Sequence, residues 1–259
     1  IKKIHNFYNN YYLVIFLLVR KQMLLRYRRT RLGYLWTIIN PLLMMTVLSL
    51  VFSAIMNIPL KEYALFFFSG MIFWNYFNFS IMQMSTSMID NEALINKIYL
   101  PKLIFPLSIS IALLIDAILS FVPFFFIMIF LGADLSFPML SIPLSYMIFF
   151  LFVTGIGFIV SVASVFFRDL SYILPIGLQA MFFLTPIIYP VSRLDGSFIK
   201  VIIKYNPVTI YIDLIRDPLL HGRLSSLENY ILAGAIACIV FSVGYFFLKY
   251  YRKKIINHL

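Results

Sequence analysis

An all-α integral membrane protein with six transmembrane helices is the fold this sequence predicts, on three observations. The chain is too apolar for a water-soluble domain, it contains six long runs almost free of charge, and its basic residues gather on one side of those runs. Hydrophobic residues make up 62% of its 259 positions and charged residues 12%, against about half and a quarter in soluble domains. A helix needs roughly 20 mostly apolar residues to cross the hydrocarbon core. Residues 32–60, 63–89, 135–167, 170–192 and 229–248 contain no Asp, Glu, Lys or Arg, and 103–133 contains only Asp116. The in-out alternation of a barrel is absent, and in lipid a helix satisfies its own backbone hydrogen bonds.

The formal charge is +11, and lysine and arginine favour the cytoplasmic side of a membrane. With both ends inside, 15 of the 21 basic residues lie at inner ends, so cytoplasmic termini are predicted. A nucleic-acid binder would line a groove with positives beside stacking aromatics. Here the positives border the spans, so membrane lipid is an expected partner and nucleic acid is not. The single domain over 1–259 then divides into an amphipathic interface helix and basic linker (1–31), spans one to five (32–192), an external helical hairpin (193–228), span six (229–248) and a cytoplasmic tail (249–259).

In the first segment, Leu13, Phe16, Leu17, Met23 and Leu24 interleave with Arg20, Lys21, Arg26 and Arg28. A basic amphipathic helix of this kind lies in the headgroup plane, as a plain anchor or as a lever against a cytoplasmic partner. Arg and Lys throughout the first 30 residues, without a small-residue cleavage site, argue against a cleavable signal. Gly33 allows a sharp change of direction into span one, Tyr34 and Trp36 sit at aromatic-belt depth, and Asn40-Pro41 permits a kink.

Between spans two and three, the stretch from Asp90 to Pro101 predicts a short cytoplasmic helix. Asp90 is its expected cap, Glu92 suits its first turn and Pro101 ends it. Its apolar face of Leu94, Ile95, Ile98 and Tyr99 either packs on headgroups or plugs into a groove on another protein. In the external segment, one apolar stripe of Phe198, Ile199, Ile202 and Ile203 and another of Val208, Tyr211, Leu214 and Ile215 are divided by Asn206-Pro207, a cap followed by proline at the first helical position. The expected form is a re-entrant helical hairpin before the last span, ending near Gly222, with any non-helical backbone at depth covered by protein or water.

Asp116 is the one ionisable residue well inside a span. Such a residue is a functional candidate because burying it costs several kcal/mol, while a structural role remains open through protonation or bonds to Ser108, Ser110 or Ser120. No catalytic constellation is evident. Asp90-Asn91-Glu92 reads as helix capping, and His5, His221 and His258 lie in unrelated segments, so no metal site is expected. Cys238 is the only cysteine and lies within the last span, so no disulfide framework exists. Phe66 to Phe68, Phe73, Trp74, Tyr76, Phe77 and Phe79, with Phe182, Phe183 and Tyr189, are individually packing residues and together a surface on which sugar rings can stack. None of the 10 glycines is followed by lysine, so there is no phosphate-binding P-loop and an ATPase driving transport would be another chain.

The stretches RYRRTRLGYLWTIINPLL (26–43), the loop helix ending in LPK, FFRDL (166–170), TPIIYP (185–190) and YNPVTIYIDLIRDPLLHG (205–222) resemble the permease subunit of type-two ATP-binding-cassette exporters. Within that family the likeness is to the branch moving lipid-linked O-antigen, capsule and wall teichoic acid. The resemblance implies a homodimer joined to two copies of a nucleotide-binding subunit, which holds the ATP and magnesium; no cofactor is expected in this chain. It implies that undecaprenyl-linked polysaccharide, most of all O-antigen, crosses the bacterial inner membrane without covalent chemistry in this chain. It places substrate pyrophosphate entry at Arg26, Arg28, Arg29 and Arg31, where the arginine fork matches phosphate geometry. ATPase coupling falls to Asp90, Glu92, Leu94, Ile95, Ile98 and Tyr99, and the channel lining to Tyr34, Trp36, Phe73, Trp74, Tyr76, Phe77 and Tyr189. The alternatives are a permease for a drug or small lipid, or a membrane-embedded sugar-lipid transferase, which would need acids not found here.

Overall fold

Turn residues and prolines decide where each apolar run becomes helix. The computed structural model describes residues 2–26, 31–98, 100–132, 136–194 and 198–258. Helix α1 (Lys2–Arg26) precedes a tight turn in which Gly33 adopts φ 54°. That left-handed conformation suits glycine and gives the predicted change of direction. Helix α2 (Trp36–Met56) follows with Pro41 inside it, and ends with Asn57 in the left-handed conformation. There the Ile58 N–H donates to the Ser53 carbonyl at 3.1 Å, satisfying the last helical carbonyls. Pro59 then opens α3 (Leu60–Thr86), so α2 and α3 form an antiparallel pair joined by a very short turn.

Helix α4 (Glu92–Lys97) is the short loop helix, followed by α5 (Ile104–Phe130), α6 (Ile142–Phe166) and α7 (Leu170–Phe183). Then come α8 (Phe198–Tyr205), α9 (Pro207–Leu220), α10 (Leu227–Tyr251) and α11 (Ile255–His258), with no strand among the described residues. Helix α1 begins well before residue 10, where the apolar-basic interleaving pointed.

Five helices, α2, α3, α5, α6 and α10, are long and apolar enough to cross a membrane, and the chain is a multi-pass membrane protein. The run 170–192, expected as one further continuous span, forms only the 14-residue α7. Fourteen residues of helix reach about 21 Å, short of a hydrocarbon core of about 30 Å. The cause is chemical: Pro186 and Pro190 lack the N–H that helix continuation requires.

Helix α3 is the centre of the bundle and packs against α2, α5, α6, α7 and α9. At mid-depth, hydroxyls link three spans: Tyr76 Oη lies 3.2 Å from Ser110 Oγ, which lies 2.7 Å from Thr154 Oγ1. The closest helix contact is α6 with α10. A Cβ added to Gly155 would lie 2.6 Å from the Phe241 backbone, and one on Gly244 would lie 2.2 Å from the Gly155 carbonyl. Small residues let membrane helices approach to backbone contact, where van der Waals packing replaces the missing hydrophobic drive.

Candidate functional site

The end of the bundle that carries α9 is organised around a buried cation, Arg216. Asn206 accepts a hydrogen bond from the Val208 N–H at 3.0 Å and Pro207 takes the first helical position, as the sequence indicates. Along α9, Val208, Ile212, Ile215 and Leu219 are buried, and Arg216 lies among them at 6% exposure. A guanidinium out of water must find acceptors for its N–H groups. Arg216 Nη1 donates to the Pro186 carbonyl, Nη2 donates to the carbonyls of Phe66 at 3.2 Å and Ile187 at 3.4 Å, and Nε donates to Ser69 Oγ at 3.5 Å. Its cationic carbon lies 3.8 Å from the centre of the Phe66 ring, a cation–π arrangement.

Two of those carbonyls belong to the non-helical stretch after α7. The rest of the stretch is held in the same way. Tyr63 donates its hydroxyl hydrogen to the Ile188 carbonyl at 2.6 Å, and Asn206 Nδ2 donates to the Leu184 carbonyl at 3.1 Å and to Thr185 Oγ1 at 2.8 Å. Side chains from α3, from α9 and from the α9 cap thus replace the partners that a helix would have supplied. Gly70 makes room for this latch, since a Cβ there would lie 2.6 Å from Arg216 Nη2.

One turn before Arg216, burial pushes the Asp213 carboxyl up to about 6; Arg216 pulls it down and Asp217 adds to the rise. Burial lowers the Arg216 pKa to about 10, against the pull of Asp213 and Tyr63, so the cation stays charged at neutral pH. Helix α9 is also tied sideways: Ser145 of α6 donates to the Leu214 carbonyl at 3.2 Å and Tyr211 donates to the Ala233 carbonyl of α10 at 3.0 Å. The second expected stripe is therefore buried, whereas on α8 Phe198 is 76% exposed and Ile203 is covered; the side chain of Ile199 lies outside the described residues.

At the other end of α3, Ile95 of α4 packs into a cluster with Met88, Phe105, Val162, Leu248 and Ile255, and Leu18 of α1 and Leu94 close over it. The apolar face expected for a partner thus divides: Leu94 and Ile95 turn into the chain, and Ile98 stands 53% exposed. Asp90 does not cap α4, because the helix starts two residues later and Asp90 instead accepts from Thr86 Oγ1 at 2.7 Å. Asn91 precedes α4 and donates to the Ser87 carbonyl at 2.8 Å. Glu92 in the first turn and Lys97 in the last match the helix dipole.

Of the entry arginines, Arg31 is described and exposed. Arg28, Arg29 and Tyr99, with the side chains of Arg26 and Tyr34, lie outside the described residues. Trp36 is half-buried at the start of α2. Phe73, Trp74, Tyr76 and Phe77 are buried; Phe73 lies against Tyr146 and Phe149, and Trp74 against Phe77 and Phe182. Within one chain these four rings are core, and Tyr76 also borders a cavity. Tyr189 is half-buried and donates to the Phe183 carbonyl. The described residues contain no group of His, Cys, Asp and Glu that could hold a metal.

Arg216 is assigned no role from the sequence alone. The signal was present: residues 208, 212, 215, 216 and 219 share one face of a 3.6-residue period, so a cation stood on an apolar face.

Residues 14–220 match the family model for the ABC-2 type transporter. The O-antigen export system permease protein RfbA of Klebsiella pneumoniae is 32% identical over 224 residues, covering 84% of this chain and 85% of the relative. A protein of the same name from Myxococcus xanthus is 27% identical over 224 residues, 86% of each chain. The polysialic acid transport protein KpsM of Escherichia coli is 28% identical over 206 residues, 77% of this chain and 78% of the relative.

Proposed function

The chain belongs to the ABC-2 type transporter family, and on that premise we propose that it is the membrane-spanning permease subunit of an ATP-driven exporter that moves undecaprenyl-linked polysaccharide, chiefly O-antigen, across the bacterial inner membrane. The observation that carries this reading is that relatives named for O-antigen export align over most of its length. The chain has no P-loop, so ATP and magnesium belong to a partner subunit, and we assign no bond-making chemistry to the permease itself.

In this reading the chain crosses the membrane six times. The fifth crossing is α7 together with the stretch 184–190. Its support is the condition that non-helical backbone at membrane depth must be covered by protein, which the hydrogen bonds of Arg216, Asn206 and Tyr63 meet. Helices α8 and α9 form the re-entrant part at the outer end, and the gathered basic residues support cytoplasmic termini. Because the large aromatics fill the interior of one chain, a polymer would pass between two copies, each carrying one ATPase. The exposed side of α4, with Ile98, would meet the ATPase, and Arg26, Arg28, Arg29 and Arg31 would receive the lipid pyrophosphate. The KpsM relative favours a capsular polysaccharide as the second reading of the cargo.

The test is purification from the native membrane together with restoration of surface polysaccharide in cells lacking the gene. A Walker-type ATPase in equal amount and restored polysaccharide are expected; a chain that comes alone and restores nothing overturns the reading. Replacing Arg28, Arg29 and Arg31 together with Gln is expected to stop export while the ATPase still co-purifies. Normal export by that variant would refute pyrophosphate entry at the linker.

A further inference from the structure

Between α2, α3 and α5 lies a cavity of about 220 Å³ lined by Asn40, Asn75, Tyr76, Gln83, Asp116 and Ser120, with apolar side chains between them. Asn40 lies near the predicted inner end of α2 and Gln83 near that of α3, while Asn75 and Asp116 lie mid-helix, so the cavity runs from the inner surface toward the middle of the bilayer. Amides and carboxyls are costly at that depth unless something polar meets them. Here three helices turn such groups toward one space. Asp116 is 6% exposed, and the side chains of Asn75 and Gln83 have no hydrogen-bond partner among the described residues. Tyr76 is fixed at the wall by its contact with Ser110 at 3.2 Å, and the cavity reaches the surface at Asn40 and Phe79, both exposed.

The chemistry of this wall selects its occupant. A lipid tail would be matched by apolar residues alone, and a phosphate or carboxylate by lysine or arginine, of which the lining has none. A hard cation takes six or more oxygen ligands, usually with several carboxylates, and Asp116 supplies the one carboxyl group of this lining. Amides that both donate and accept, a carboxyl, hydroxyls and two aromatic rings fit a polyol with an apolar face. The volume suits one ring rather than a chain. We infer that this cavity receives an uncharged sugar residue of the exported glycan as it passes the inner half of the membrane. This rests on the exporter reading and adds to it a site and a selectivity.

The experiment replaces Phe79 with a photo-crosslinking amino acid in the full exporter, stalled by an inactive ATPase partner, in cells making a neutral polysaccharide. Light is expected to yield permease adducts carrying that glycan, and none in cells whose polysaccharide bears a carboxylate in every repeat. Adducts only to phospholipid or to the second copy overturn the site, and equal labelling by the acidic glycan overturns the selectivity. A parallel variant with Asn75→Ala and Gln83→Ala is expected to export roughly ten-fold more slowly at an unchanged membrane level, the scale of one or two lost hydrogen bonds; an unchanged rate overturns the inference. If the wild-type chain restores no export in cells lacking the gene, the exporter reading itself fails.

Discussion

Arg216 of α9 lies over Phe66 of α3 at 3.8 Å, joining α9 to the central helix through a buried guanidinium. The same guanidinium donates to carbonyls of Phe66, Pro186 and Ile187. Arg216→Met keeps the volume and removes every donor, leaving buried carbonyls without partners at about 1–3 kcal/mol each. The expected outcome is a loss of about 3 kcal/mol in unfolding free energy and loss of export. Arg216→Lys, a point charge without the planar fork, is expected to recover only part. Denaturation in detergent, set beside surface polysaccharide, checks both.

Gly70→Ala places a methyl group 2.6 Å from Arg216 Nη2 and should reproduce part of that defect. Since the methyl acts through the guanidinium, the two changes are expected not to add. In the Arg216→Met background, Gly70→Ala should cost less than half of what it costs alone. A double-mutant cycle on stability measures this coupling, and full additivity would show that Gly70 matters for another reason.

Gly155 and Gly157 differ in what a side chain would meet. At Gly155 the obstacle is the Phe241 backbone, at 2.6 Å, whereas at Gly157 it is the end of the Met84 side chain, at 2.1 Å. Methionine can move aside; a helix backbone can do so only by separating α6 from α10. Gly155→Ala is therefore expected to lower the folded amount in membranes severalfold and Gly157→Ala only slightly, as fluorescence-detected size exclusion would record. Equal effects would contradict the backbone-contact account.

Ile95 is buried on α4, whereas Ile98, in extended backbone just past the end of that helix, is exposed. Ile95→Ala removes a buried side chain from the cluster around Met88 and Phe105 and should cost about 2–3 kcal/mol of stability. Ile98→Asp alters an exposed position and should leave stability unchanged while reducing co-purification of the ATPase. Melting curves and pull-downs on the same two variants separate the roles; an ATPase yield unaffected by Ile98→Asp would move the coupling surface elsewhere.

Asp213 titrates upward from its ordinary range, to about 6, chiefly through burial. Its raised value means that the folded state holds the proton more tightly than the unfolded state does. The contribution of Asp213 to stability is therefore fully present below about pH 4 and is lost as pH rises through about 6. Thermal unfolding of Asp213→Asn compared with wild type across pH 4 to 7 isolates this component. The variant's advantage should grow with pH through that window, and a flat difference would remove Asp213 from the account.

Much of this architecture is legible from the amino acids because bilayer thickness is a strict ruler. Uncharged runs located the five helices long and apolar enough to cross a membrane, Asn206-Pro207 marked the start of α9, and Gly33 marked the turn into α2. Failures came where tertiary partners override local pattern. The run 170–192 is as apolar as a span, yet Pro186 and Pro190 end its helix, and only distant Arg216, Asn206 and Tyr63 make the resulting path acceptable. The aromatics of α3 have the composition of a lining and the position of a core, a distinction that requires knowing which helices surround α3. Asp90 looked like a cap because its spacing allowed one, but Thr86 lies nearer and takes its carboxylate.

The stretch 184–188 draws its conformation from elsewhere in the chain, and this shapes how the protein can change over generations. Its own letters beyond the prolines specify little of its path, so volume-preserving drift at Ile187 or Ile188 leaves the trace of the backbone intact. Variation at Arg216, Tyr63 or Asn206 redraws it at a distance of more than 20 residues in sequence. The instructions for this stretch are written in other helices, so its path is preserved only while those remote donors are.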